Sequence, residues 1–174
     1  MQLLYFPKLV KNDIEITPLL VHNVVDTNKR EVFYMKCAII LAGGKGTRMK
    51  SDMPKVMCEV LFEPMLYYVI KAVKEAGCEE ICVVTGYKHE IVEAYLPDGV
   101  ESAYQNPQLG TGHAVMCARS FVEKHRDDDI LILNGDGPLM DACTINCAYD
   151  YHKENANAIT LISAIVEDTN GIAT

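Results

Sequence analysis

Short apolar runs alternate along the chain with segments in which apolar residues recur every three or four positions, and this alternation begins at Cys37. A short apolar run bounded by turn residues is typical of a buried strand, and the three-and-four spacing is typical of one buried helix face. The sequence predicts strands over 37–41, 80–85, 100–104, 129–134 and 158–166. It predicts a helix from about Pro64 to Gly77, and helices over 89–96, 111–122 and 141–155, the third of them capped by Thr111.

The order of these elements predicts an α/β fold. Strands that alternate with helices of this length form a mostly parallel sheet with helices on both faces. In such sheets ligands bind beyond the carboxyl ends of the strands. Two loops follow predicted strands at that edge, "AGGKGTR" at 42–48 and "NGDGPL" at 134–139.

Residues 1–35 lack a sustained pattern, because Pro7, Pro18, charged residues and short apolar runs are mixed there. Two interpretations stay open, an appended arm with little fixed structure or an extra edge strand around residues 14–25. The main domain is predicted over residues 36–174.

Length and charge exclude several classes of protein. A chain of 174 residues that is 49% hydrophobic can bury one core, so a single main domain is expected. With 16 basic and 24 acidic residues, the chain is not expected to bind nucleic acid or an anionic membrane. An apolar run of about 18 residues, as a membrane span requires, is not found, and the N-terminus does not resemble a secretion signal.

The seven cysteines are an odd number and fall mostly within apolar or helical patterns. That distribution favours reduced thiols and a cytoplasmic protein. The pairs Cys78/Cys82 and Cys143/Cys147 have three-residue gaps and no second pair of ligands beside them, so they are interpreted as packing residues rather than zinc ligands.

The loop after the first predicted strand of the main domain concentrates glycine and positive charge. Glycines at 43, 44 and 46 allow a ligand to approach main-chain N–H groups. Four basic residues follow closely, namely Lys45, Arg48, Lys50 and Lys55. This combination predicts a local polyphosphate site. The spacing matches neither a Walker A loop nor a dinucleotide fingerprint.

Three motifs carry a resemblance to a known family. "LAGGKGTRM" followed by "PKVM" resembles the signature of sugar-phosphate nucleotidyltransferases. "QNPQLGTGHA" resembles the uridyltransferase domain of bacterial bifunctional N-acetylglucosamine-1-phosphate uridyltransferases, and "NGDGPL" resembles its metal-bearing loop. The resemblance covers about residues 36–166. It implies a Rossmann-like three-layer fold with a mostly parallel, mixed sheet, and transfer of UMP from UTP to N-acetylglucosamine 1-phosphate with release of pyrophosphate.

The resemblance also implies roles for individual residues. Arg48 and Lys55 would neutralise the triphosphate and the leaving pyrophosphate. Asp136 would hold Mg2+, which prefers hard oxygen ligands and often binds one carboxylate together with substrate phosphates. Gln105, which can both donate and accept hydrogen bonds, would read the edge of uracil together with Gly110 and Thr111. The remaining predicted nucleotide-binding residues are Leu41, Ala42, Gly43, Gly44, Lys45, Gly46, Thr47 and Gly135.

Two further side chains receive no catalytic role. His113 is interpreted as an inward-facing or supporting histidine rather than a general base. Lys50 is interpreted as an exposed surface cation.

The sequence departs from the family pattern at several points. Gly43 stands where the family often has Ala, and Gly137 stands where Val is usual. The family's domain continues past position 174, and the missing part carries the residues that hold the amino sugar and the second metal ligand. We therefore expect the nucleotide half of the site without the sugar half, and no acetyl-CoA chemistry. A cytidylyl- or thymidylyltransferase of the same fold and a non-catalytic nucleotide-binding module remain alternatives.

Overall fold

The computed structural model describes residues 14–15, 36–46 and 52–164, and for residues 14, 15 and 164 it describes only the backbone. The chain divides into two compact units, one of residues 30–145 and one of residues 1–29 with 146–174. Within the described residues, no helix is both long and apolar enough to cross a membrane.

The strands, in chain order, are β1 Ile14–Glu15, β2 Lys36–Leu41, β3 Glu59–Val60, β4 Glu63–Pro64, β5 Glu80–Thr85, β6 Val100–Tyr104, β7 Asp129–Asn134 and β8 Ser163–Ala164. The helices are α1 Met65–Glu75, α2 His89–Glu93, α3 Thr111–Cys117, α4 Arg119–Lys124 and α5 Ala142–Glu154, with a 3-10 helix at Lys55–Met57. The four predicted strands from 37 to 134 and the predicted helices are thereby confirmed within a few residues, except that the helix predicted over 111–122 is divided at Ala118 into α3 and α4.

The larger unit is built on a four-stranded sheet in the order β6-β5-β2-β7. Every neighbouring pair is parallel, with Ile39 opposite Cys82 on one side of β2 and opposite Ile132 on the other. Parallel strands need crossover connections, and α1, α2 and the α3–α4 segment supply them. The carboxyl ends of all four strands therefore lie at one edge.

Alternate residues of the strands face two separate apolar layers. Ala38, Ile40 and Val83 pack with Leu66 and Val73 of α1 in the larger layer. Residues at the intervening strand positions pack on the opposite face with α3 and α4. This arrangement confirms the predicted α/β fold with helices on both faces.

Helix α1 shows how the local sequence defines an element. Its buried residues include Leu66, Val69 and Val73, which recur at the spacing of one helix face. The helix starts after Pro64 and ends at Ala76, and Gly77 follows with φ +86°. A residue in the left-handed conformation directly after a helix is usually glycine.

Three local predictions were wrong. Cys143 and Cys147 were interpreted as packing residues, but both are exposed, whereas Cys78 and Cys82 are buried as expected. Thr111 is the first residue of α3 rather than its cap, since the N-cap is Gly110 with φ 99° and no side-chain capping bond. Of the predicted strand over 158–166, residues 158–162 are irregular and only Ser163–Ala164 form a strand, while 165–166 lie outside the described residues. An apolar run becomes a strand only where a neighbouring strand supplies its hydrogen-bond partners, and periodicity alone does not reveal that partner.

In the smaller unit, β1 and β8 form a two-stranded antiparallel sheet in which Ile14 lies opposite Ala164. Strand β1 lies at the start of residues 14–25, for which an extra edge strand was one of the two interpretations. The rest of residues 1–35 lies outside the described residues, so the choice between an arm and an edge element stays a prediction.

Candidate functional site

A cavity of about 350 Å³ opens among the loops that follow the carboxyl ends of β2, β6 and β7. Its walls include the glycine loop, the start of α3 and the segment after β7. The lining residues are Leu41, Gly43, Gly44, Lys55, Val56, Gln105, Gln108, Gly110, Thr111, Ala114, Asn134 and Asp136. The cavity lies where ligands bind in open parallel sheets.

Main-chain hydrogen bonds hold the loops around the cavity together. The carbonyl of Gly43 accepts bonds from Gln108 Nε2 at 2.7 Å and from the Tyr87 amide at 3.1 Å. Gly86 lies so close that a Cβ there would come within 2.6 Å of the same carbonyl oxygen. The contact requires glycine at 86, and it fixes the glycine loop against the loop after β5.

Gln105 forms the buried polar wall of the cavity. Gln105 is only 5% exposed. Its side-chain Nε2 donates to the carbonyl of Gly110 at 3.0 Å. His113 Nδ1 lies 3.3 Å from the same nitrogen. A Cβ at Gly43 would come within 2.8 Å of Gln105 Oε1, so an alanine at 43 requires the amide to shift. The glycine at 43 therefore leaves room for this position of the Gln105 amide.

Opposite charges meet where the segment after β7 lines the cavity. The Lys55 ammonium donates to Asp136 Oδ2 at 2.5 Å, and the side chains are 40% and 34% exposed. Lys55 begins the 3-10 helix, where the neighbouring Val56 is buried and anchors the turn. Gly46, with φ +62°, permits the approach, because a Cβ there would lie 2.6 Å from Lys55 Cβ. The site thus holds a cation and a carboxylate that both reach solvent.

A second group of charges lies on the loop after β5 and its neighbours. Lys88 Nζ lies 2.9 Å from Asp52 Oδ2, and the hydrogen bond from Lys88 lowers the pKa of the Asp52 carboxyl. The same bond raises the pKa of Lys88. Lys45 Nζ lies 5.4 Å from the centroid of the Tyr87 ring. Lys45 itself is exposed and does not line the cavity.

The structure brings most of the predicted site residues together. Leu41, Gly43, Gly44, Lys55, Gln105, Gly110, Thr111 and Asp136 line the cavity. Ala42 and Gly135 are buried beneath it: the Ala42 amide donates to Val84 and the Gly135 amide donates to Leu41. Thr47, Arg48 and Lys50 lie outside the described residues. The roles assigned to all these residues stay predictions.

Four lining residues were not predicted, namely Val56, Gln108, Ala114 and Asn134. Gln108 and Asn134 belong to the quoted motifs "QNPQLGTGHA" and "NGDGPL", so their side chains could have been considered. Val56 and Ala114 are apolar residues whose patterns indicate only packing. Nothing in the sequence distinguishes them from other core positions.

Comparison with known proteins identifies the family. Residues 38–167 match the MobA-like NTP transferase domain. The chain belongs to that NTP transferase family. The protein named bifunctional protein GlmU from Fervidobacterium nodosum is 44% identical over 133 residues, which are 76% of this chain and 28% of that protein. The GlmU of Alkaliphilus metalliredigens is 46% identical over 134 residues, 77% of this chain and 29% of that protein. The chain thus spans less than a third of the length of these relatives.

Solved structures agree with this NTP transferase assignment. UDP-glucose pyrophosphorylase from Acinetobacter baumannii superposes with a TM-score of 0.61 at 26% identity, covering 70% of this chain and 54% of that one. A UTP-bound form from the same organism gives a TM-score of 0.59 at 25% identity, with the same coverage. These neighbours share the Rossmann-like α/β fold that the sequence predicts.

Proposed function

We propose that this NTP transferase domain binds UTP in the cavity and transfers UMP to N-acetylglucosamine 1-phosphate, releasing pyrophosphate. The observation that carries the proposal is the distribution of polar groups along the cavity. Gln105 follows β6 and Asp136 follows β7, which are the two outer strands of the sheet, and both residues line the cavity. The part formed by Gln105 is called the base wall, and the part formed by the Lys55–Asp136 pair is called the charged wall. A nucleoside triphosphate has the matching chemistry, with a polar base at one end and a polyphosphate at the other.

The base wall is suited to the recognition of uracil, because Gln105 is held in place before any ligand binds. Its Nε2 donates to Gly110 and its backbone amide donates to Thr85 at 2.8 Å. A buried amide whose position is fixed discriminates by leaving a wrong base with unpaired polar groups. Uracil has a donor at N3 and an acceptor oxygen at C4, whereas cytosine has an acceptor at N3 and an amino donor at C4. One amide in a fixed position therefore cannot pair equally well with both bases.

The charged wall is suited to the transfer of a phosphoryl group. This reaction depends on positioning and charge neutralisation more than on a nucleophilic side chain. Lys55 would donate to phosphate oxygens as the pyrophosphate leaves, with Arg48 as its proposed partner. Asp136 fits a magnesium ion, because it offers a partly exposed hard carboxylate beside the place where the phosphates would lie. Mg2+, when bound, would polarise the reacting phosphates.

The sugar preference and the setting of the reaction are further parts of the proposal. The "QLGTGHA" motif favours the uridyltransferases that act on N-acetylglucosamine 1-phosphate. The structural neighbours are UDP-glucose pyrophosphorylases, so glucose 1-phosphate is the alternative substrate that must be compared. We also propose a cytoplasmic location and a contribution to precursors of the cell wall.

The test is an assay of pyrophosphate release with UTP and Mg2+, by a protein that carries this domain together with the sugar-binding segment that the family resemblance places after position 174. N-acetylglucosamine 1-phosphate and glucose 1-phosphate are compared, and CTP and dTTP replace UTP in parallel reactions. We expect release that depends on UTP and on N-acetylglucosamine 1-phosphate. Stoichiometric UTP binding without release would favour the non-catalytic alternative. Faster release with CTP or dTTP would favour a different nucleotidyltransferase.

A further inference from the structure

A thiol, an imidazole and a carboxylate converge at the edge of the sheet opposite the cavity. Cys37 lies near the start of β2, His125 ends α4, and Asp128 precedes β7. Cys37 Sγ lies 3.1 Å from His125 Nδ1, and His125 Nδ1 lies 3.0 Å from Asp128 Oδ2. The third edge, from Sγ to Oδ2, is 3.9 Å. Strand β7 separates this cluster from Asp136 by roughly 20 Å, at about 3.3 Å per residue.

The three groups can form hydrogen bonds among themselves, because Cys37 Sγ and His125 Nδ1 can both donate to Asp128 Oδ2. The other ring nitrogen of His125, Nε2, is buried and has no hydrogen-bond partner among residues 36–46 and 52–164. Nε2 is unpaired in either tautomer, so it does not decide between a hydrogen-bonded and a metal-bound cluster. A sulfur, an imidazole nitrogen and a carboxylate oxygen that face one another are also the ligand types that bind zinc in proteins.

The distances fit a tetrahedral ion. Zinc binds sulfur at about 2.3 Å and nitrogen or oxygen at about 2.0–2.2 Å, which gives ligand-to-ligand edges of about 3.3–3.6 Å. Each of the three observed edges lies within about 0.5 Å of those values. Sulfur and imidazole donors also favour zinc over magnesium, which prefers oxygen.

We propose that Cys37 Sγ, His125 Nδ1 and Asp128 Oδ2 form a binding site for Zn2+ that is separate from the nucleotide cavity. All three ligand atoms lie within 4.8 Å of one another. The fourth position would be taken by water, which can enter beside Asp128, because that side chain is 20% exposed while the His125 side chain is 5% exposed. The bound ion would connect the start of β2 with the end of α4 and the turn before β7.

The experiment is a titration of the metal-free full chain with Co2+, which takes the place of Zn2+ and reports its ligands by absorption. We expect one equivalent to give a sulfur-to-cobalt charge-transfer band together with the visible bands of tetrahedral Co2+. Added Zn2+ should displace them. Absence of the charge-transfer band, or bands of an octahedral ion, would overturn the proposal.

Matched variants identify the ligands. Cys37→Ser should abolish the charge-transfer band, and Asp128→Asn should weaken Co2+ binding by at least about tenfold, since even supporting residues around a metal change affinity by roughly 10–100-fold. Cys143→Ser, at an exposed cysteine, and Asp136→Asn, in the cavity, should leave the band unchanged. If Cys37→Ser keeps the band and Cys143→Ser loses it, the site is elsewhere and the proposal is wrong. Circular dichroism verifies folding of each variant, and Asp128→Asn keeps the test decisive if the buried Cys37 variant unfolds.

Discussion

Lys55 Nζ and Asp136 Oδ2 lie 2.5 Å apart although their residues are separated by 81 positions in the chain. The first follows the glycine loop after β2, and the second follows the neighbouring parallel strand β7. Because both strands end at the same edge, the sheet brings a cation and a carboxylate to one cavity. Both side chains are more than a third exposed, so the pair contributes little to stability.

Asp136→Asn should remove most of the Mg2+-dependent pyrophosphate release without unfolding the chain. Loss of one group that stabilises transition-state charge typically lowers the rate by about 10²–10³-fold. The melting temperature should change little, since exposed ion pairs contribute only about 0–1 kcal/mol. Lys71→Ala, which breaks the exposed Lys71–Glu75 pair on α1, is the matched control and should retain activity. Unchanged release in Asp136→Asn would show that this carboxylate does not bind the catalytic metal.

Gln105→Ala should reduce the preference for UTP over CTP. The variant loses the bond to Gly110 and leaves a buried acceptor, at a cost of about 1–3 kcal/mol in stability. The ratio of kcat/KM for the two nucleotides is the measurement, because it separates discrimination from general weakening. Equal loss with both nucleotides would mean that Gln105 supports the loop but does not read the base.

Gly86→Ala should lower the free energy of unfolding, because it disturbs the contact between the loop after β5 and the glycine loop. The new Cβ would lie 2.6 Å from the Gly43 carbonyl oxygen, which forces a backbone shift of a kind that costs about 1–3 kcal/mol. Gly112→Ala on α3 is the control, since a Cβ there has open space and alanine favours a helix. Denaturant unfolding compares the two variants. Equal stability of both would contradict the tight packing of the two loops.

Leu66→Ala and Leu61→Ala should differ strongly in stability. Leu66 is 0% exposed in the layer between α1 and the sheet, and truncation of such a residue costs about 2–5 kcal/mol. Leu61 is 79% exposed, so its truncation should change the free energy of unfolding by no more than about 0.5 kcal/mol. Chemical denaturation measures both. A similar loss of stability in both variants would contradict the burial of Leu66 between α1 and the sheet.

Cys82 should resist alkylation at pH 8 while Cys143 reacts. Burial, followed by the nearby Glu101, raises the pKa of the Cys82 thiol to about 11, so almost no thiolate is present at that pH. Cys143 is exposed. Mass spectrometry after brief treatment with iodoacetamide identifies the modified residues. Rapid labelling of Cys82 in the folded protein would indicate that β5 opens readily.

Much of the fold was predictable because buried parallel strands have continuous apolar sequences. The predicted strand over 80–85 is β5 itself, and the one over 129–134 is β7. The errors concern features that depend on partners. Thr111 was predicted to cap α3, but the turn places Gly110 there. The run from 158 to 162 has the composition of a strand and no strand structure.

The candidate site was predictable where motifs carry its residues. Gln105 and Asp136 lie in such motifs and line the cavity. The ion pair of Lys55 with Asp136 and the contact of Gly86 with Gly43 arise from tertiary folding, which local patterns do not encode. The Cys37–His125–Asp128 cluster was not predicted for the same reason, because Cys37 is separated by 88 positions from His125 and by 91 from Asp128.

If the proposed function is right, the cavity binds UTP between Gln105 and the Lys55–Asp136 pair. The most direct measurement is a thermal-shift titration of the full chain with UTP, CTP, dTTP and ATP, each with and without Mg2+. We expect a UTP-selective shift that Mg2+ enlarges, equivalent to about 2.7 kcal/mol at 100 times the dissociation constant. The Mg2+ enhancement should disappear in Asp136→Asn. No shift with any nucleotide, or the same shift with all of them, would contradict the claim.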